Sequence, residues 1–133
     1  MKLSSNQLNL LEESCLLGIQ QYNTGKTKEE GRLIVNQIEK NNYDFTFTPK
    51  QTKLIGSFLA NWHNQNKEDL VDLQTIMFSE NYEANSLLHL QDKIKKLNTF
   101  IDLLKIFNND FYKSFFEGTD ENYRKKLLEA QIN

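Results

Sequence analysis

From Leu87 to Leu104 apolar residues fall at alternating intervals of three and four: Leu87, Leu90, Ile94, Leu97, Ile101, Leu104. That spacing lines one face of an α-helix and no face of a strand. A helix from Ser86 to Phe107 covers 22 residues, roughly 33 Å at 1.5 Å per residue. A compact chain of 133 residues has a radius of gyration near 14 Å, so this helix spans the molecule and belongs at its centre. Extending the register backwards puts Glu80 and Glu83 on the apolar seam, which predicts a bend or break over Ser79 to Asn85.

Similar patterns, each with start and stop signals, surround it. Ser4 or Ser5 caps a first helix carrying Leu8, Leu11, Cys15, Ile19 and Tyr22, which Asn23-Thr24-Gly25 then stops. Thr27-Lys28-Glu29-Glu30 reads as a capping box for a second helix running to about Lys40 and burying Ile34 and Ile38. Thr48-Pro49-Lys50-Gln51 joins an N-cap, a proline at the first helical position and a box-closing Gln. The helix it opens buries Leu54, Ile55, Phe58, Leu59 and Trp62. Asn66 with Glu68 and Asp69 starts a further helix, and Asn108-Asn109-Asp110 separates the central helix from a short aromatic one closed by Gly118. Thr119-Asp120-Glu121 caps a last helix with Leu127 and Leu128. Tyr43 to Phe47 alternates as an extended segment would, yet has no second strand to pair with and reads as a linker. The expectation is an all-α fold: residues 1–133 as a single helical domain, a compact bundle of about five to six helices.

Composition narrows the function classes. Sixteen basic and eighteen acidic residues leave a net charge of −2, without the footprint of a dedicated nucleic-acid binder or of an acidic mimic. No apolar run approaches the roughly 18 residues of a membrane span, and Glu12 and Glu13 stand where a signal peptide would be apolar. A cytoplasmic location without membrane contact is expected. Phe, Tyr, Met, Ile, Asn and Lys total 55 residues against 11 of Gly, Ala, Arg and Pro. The first set uses A/T-rich codons, as in low-G+C bacteria, their phages and plasmids.

Catalytic constellations are missing from the sequence. His63 and His89 have no ligand-spaced partner, and Cys15 lies in an apolar repeat where a thiol acts as a small hydrophobe. The five glycines are isolated, so Gly25-Lys26-Thr27 is a chance match to the end of a phosphate loop. Carboxylate pairs such as Glu12-Glu13 read as solvated. No enzyme activity, cofactor, metal or small-molecule substrate is expected.

Two surfaces remain. Phe107, Phe111 and Phe115 form a stripe at intervals of four, with Tyr112 and Phe116 beside it, and Trp62 adds an aromatic next to polar His63. These residues read first as core, and their excess hints at a surface covered by a protein partner or a second copy. Lys50, Lys53, Lys93, Lys95, Lys96, Arg124, Lys125 and Lys126 could touch a phosphate backbone, against the simpler reading of solvated helix faces. The leading expectation is a non-enzymatic protein that binds a macromolecular partner, of an inhibitory, accessory or immunity type. The alternative is a helical subunit of a nucleic-acid-handling complex.

Overall fold

A computed structural model of the chain describes residues 2–21, 25–40, 46–68, 90–117 and 121–131, with the side chains of 115–117 and 121–123 outside the description. About 90% of the described residues are helical and none is in a strand. Six helices are seen: α1 (Ser5–Gln21), α2 (Gly25–Lys40), α3 (Pro49–Gln65), α4 (Gln91–Phe107), α5 (Asn109–Glu117) and α6 (Glu121–Ala130). The expected all-α bundle is therefore present.

The helix starts follow local hydrogen bonding. Ahead of α3 the Thr48 hydroxyl accepts from the Gln51 amide at 3.1 Å, while the Gln51 side chain accepts from the Thr48 amide at 3.0 Å. Ser4 and Gln7 make the same reciprocal pair ahead of α1, at 3.2 and 2.8 Å, so two otherwise orphaned amides are satisfied at each end.

One expected boundary is corrected. Gly25 opens α2 instead of closing α1, and no described glycine has positive φ. Thr27 consequently falls inside the first turn and is not the cap. Glycine takes a helical φ as readily as a left-handed one, so its presence does not decide which helix end it marks. Asn66 closes α3, its amide donating to the Trp62 and His63 carbonyls and its Nδ2 to the Trp62 carbonyl at 2.7 Å, and the helical backbone resumes straight after it at Lys67 and Glu68, where the next helix is expected to start. An asparagine offers a donor as well as an acceptor, and here the donor side finds the last carbonyls. Most of the helix expected after Asn66, the Ser79 to Asn85 break, and Leu87 lie outside the described residues.

The core is laid on α1, α3 and α4. Helix α1 packs against α2, α3 and α4; α4 in turn packs on α3 and carries α5 and α6. Ile94, Leu97, Phe100, Ile101, Leu103, Leu104 and Phe107 of α4 are buried, as the three-four spacing requires. From α3 come Ile55, Phe58, Leu59 and Trp62, and from α1 Leu10, Leu11 and Cys15. Burying each large side chain contributes about 1.5–3 kcal/mol. Phe47 meets the Phe107 ring edge-on at 6.0 Å, and the Thr46 carbonyl accepts from Gln37 Nε2 at 2.9 Å. The chain leading into α3 is thus a linker whose aromatic residue packs down on the bundle.

Phe58 is seated by two glycines. A Cβ placed on Gly18 of α1 would collide with its ring, and one on Gly31 of α2 would stand 3.3 Å from its ring tip and 2.8 Å from Ile19 Cγ1. The hairpin of α1 and α2 therefore carries a notch with no side chain in it, and the ring fills the notch. At the other end, Gly56 brings α3 close to the α4–α5 junction: its Cβ would lie 2.9 Å from the Phe107 carbonyl oxygen. Asn108 holds that junction, closing α4 through its amide on the Leu104 carbonyl at 2.8 Å. Its Oδ1 accepts from the Phe111 amide at 3.2 Å, and its Nδ2 donates to the Gly56 carbonyl at 3.1 Å.

Candidate functional site

Cys15 and His63, the thiol and the imidazole among the described residues, are absorbed into the packing. Cys15 is fully buried, and burial, reinforced by the Glu12 charge, pushes its thiol up to about 12. A thiol held that far above neutral pH carries almost no thiolate and is a poor nucleophile. Ellman's reagent is therefore expected to leave Cys15 unlabelled in the folded protein and to titrate one thiol once denaturant is added. Rapid labelling under native conditions would contradict the burial.

His63 lies half-buried between two rings, stacked on Phe100 at 5.6 Å and 17° and edge-on to Phe111 at 5.5 Å. Burial first, then the Lys67 charge, holds its pKa below the ordinary value of 6.5. The sign is definite: the unfolded chain takes up the proton at a higher pH than the folded one. The stability His63 contributes is complete above about pH 6.5. It declines as pH falls below that value and levels off beneath the folded pKa. His63→Gln is expected to remove this slope between pH 7 and 5 in denaturant melts; an unchanged slope would show that His63 is not its source. His89 lies outside the described residues, so no statement joins the two imidazoles.

The aromatic candidates divide. Trp62 and Phe107 are 4% and 7% exposed, so both belong to the core. This is the core reading given first for these two, and its cause is that the helix phase placing them beside Phe58 and Leu104 also turns them inward. Phe111 and Tyr112 are half-buried against the same core. The side chains of Phe115 and Phe116 are outside the description. Among the described residues the large apolar side chains that are exposed lie elsewhere: Leu16 on α1, Leu33 on α2, Ile106 on α4 and Leu128 on α6.

The basic candidates do not make one track. Arg124 is committed to α4, donating to the Asn98 carbonyl and Oδ1 at 3.2 and 2.7 Å and to Asp102 Oδ1 at 2.6 Å. A guanidinium so engaged is a strut between helices, which corrects its placement among phosphate contacts. Lys125 is exposed and Lys126 half-buried on α6. Lys93 and Lys96 line a cleft of about 440 Å³ bounded by Leu17, Trp62 and Gln65. Lys95 joins Lys96 in an adjacent cleft of about 350 Å³, with Asp92 facing it. Lys50 and Lys53 line a different cleft that shares no residue with these two.

Glu13 stands at the meeting of the first two clefts. Its Oε2 accepts from Trp62 Nε1 at 2.8 Å and its Oε1 from Lys96 Nζ at 3.1 Å. One carboxylate thereby ties α1 to α3 and α4, where sequence placed it on a solvated face. The ion pair is half-exposed and contributes little. The indole bond contributes more, since its N–H would otherwise be poorly satisfied in a buried ring. Among the described residues no three His, Cys, Asp or Glu side chains gather as a metal-holding group, and no described helix is long and apolar enough to cross a membrane.

The fold places the chain in the broad class of all-α helical bundles. Comparison with protein families, curated proteins and solved structures finds no match.

Proposed function

We propose that the protein works by binding a macromolecular partner and performs no chemistry of its own, as an inhibitory, accessory or immunity-type protein would. The observation that carries this is the use made of the reactive side chains: Cys15 fills the core and His63 is sandwiched between Phe100 and Phe111. Partner contact falls to the exposed apolar residues Leu16, Leu33, Ile106 and Leu128 and to the half-buried face of α5 at Phe111 and Tyr112. Scattered apolar residues of this kind are ordinary on a surface, and become binding contacts when a partner's apolar residues complete them.

The test is capture from host lysate by the tagged protein, with Leu33→Glu and Leu128→Glu variants in parallel. Light scattering of the pure protein gives its mass. A specific partner or a defined dimer, weakened by at least one of the two substitutions, is expected. A strict monomer that retains no macromolecule would refute the proposal.

A further inference from the structure

Lys26 and Lys50, near the starts of α2 and α3, meet Lys53 around a cleft of about 330 Å³, with Thr27, Leu54 and Ser57 completing much of its wall. We propose that this cleft binds a phosphate group carried on a nucleotide-sized organic body, a site independent of the partner-binding role above.

Charge is the first reason. Among the described residues none of the three ammonium groups makes an ion pair or hydrogen bond, and Glu30 is the one acid that lines the cleft. Three positive charges against one negative leave a local excess that an anion would relieve. The lysines of α4 differ: Lys96 is paired to Glu13, and Asp92 shares the cleft of Lys95.

The second reason is the shape and lining. The volume falls at the small end of ligand pockets, roughly 300–1,000 Å³, and Leu54 gives the wall an apolar portion beside the hydroxyls of Thr27 and Ser57. A bare oxyanion would use the charges and ignore Leu54, whereas a base or sugar attached to the phosphate would use both. The first turn of α2 contains no acid and Gly25 has open space around it. The positive end of that helix therefore adds to the lysine field instead of being neutralised by its own side chains.

The phosphate can come from a free nucleotide or from a single-stranded backbone, and the experiment separates them. Adenosine monophosphate, inorganic phosphate and a short oligothymidylate are titrated into 15N-labelled protein at low salt, following the amides of residues 25–30 and 50–57. Shifts confined to these amides are expected, with adenosine monophosphate binding at least threefold more tightly than inorganic phosphate. Oligothymidylate binding more tightly at the same amides assigns the site to a backbone; binding of the mononucleotide alone assigns it to a free nucleotide.

The triple variant Lys26→Gln, Lys50→Gln, Lys53→Gln changes exposed side chains only. It is expected to keep its melting curve and to lose at least tenfold in affinity, while Lys93→Gln with Lys95→Gln binds as before. No shift at these amides with any of the three probes, or equal binding by the triple variant, would overturn the proposal. Equal affinity for inorganic phosphate and adenosine monophosphate would overturn the part played by Leu54.

Discussion

Gly18→Ala is expected to destabilise the protein by about 2 kcal/mol, within the 1–3 kcal/mol typical of overpacking a filled core. Two effects oppose each other. Alanine in a helix interior gains up to about 1 kcal/mol over glycine, which alone would raise the melting temperature. The new methyl, however, lands on the Phe58 ring, which is fully buried and has Gly31 against its tip. An aromatic ring so enclosed cannot swing aside as a flexible chain end would, and the clash outweighs the propensity gain. A fall of roughly 5–10 °C in melting temperature should follow for a chain of this size. Gly25→Ala is the control, since its Cβ meets nothing within 4 Å. Phe58→Leu should restore part of the loss in the Gly18→Ala background while costing stability alone, the coupling that contact predicts. A Gly18→Ala protein more stable than the parent would show that the notch is not filled as described.

Asn98→Leu is expected to cost about 2–3 kcal/mol, with the damage concentrated at the carboxyl-terminal helix. Asn98 is 4% exposed, in phase with Ile94, Leu97 and Ile101. Its Nδ2 donates to the Leu127 carbonyl at 3.1 Å and to Gln131 Oε1 at 2.7 Å, while its Oδ1 accepts from Arg124. Leucine matches the side chain in size and so leaves little cavity. It removes one of the two donors to the Leu127 carbonyl, the other being the Gln131 amide at 3.2 Å, leaves Gln131 Oε1 without its Asn98 donor and takes one acceptor from Arg124, and buried polar groups that lose partners are costly away from water. Gln91 Nε2, which donates to the Ala130 carbonyl at 2.8 Å, then remains as a polar tie between α4 and α6. Hydrogen exchange should accelerate in residues 124–131 well before it does in α1 or α3. Uniform acceleration across the chain would mean that α6 is not separately held by this network.

What the sequence made legible was local. Thr48-Pro49-Gln51 declares a helix start because the cap, the box and the proline act within one turn, and Ser4 or Ser5 marks the first helix, whereas the closing of its box by Gln7 is seen only in the structure. Ile94 to Leu104 declares a buried face because period alone selects it. Gly25 misled because glycine serves either end of a helix. The polar ties were less visible, since Glu13 finds its partners 49 and 83 residues away and Asn98 reaches 29 to 33 residues to Leu127 and Gln131. Asn98 did leave a trace: a polar residue sits on the core phase of the central helix. Lys26 left less, because only folding brings the start of α2 beside Lys50 and Lys53.

Asn108 is one residue in three jobs: it finishes α4, begins α5 and grips the Gly56 carbonyl. Gly56 lies at the midpoint of α3, so a tug on the aromatic tail helix is relayed to the middle of a core helix and not to a loose end. Whatever docks against α5 therefore has a lever into the interior of the bundle.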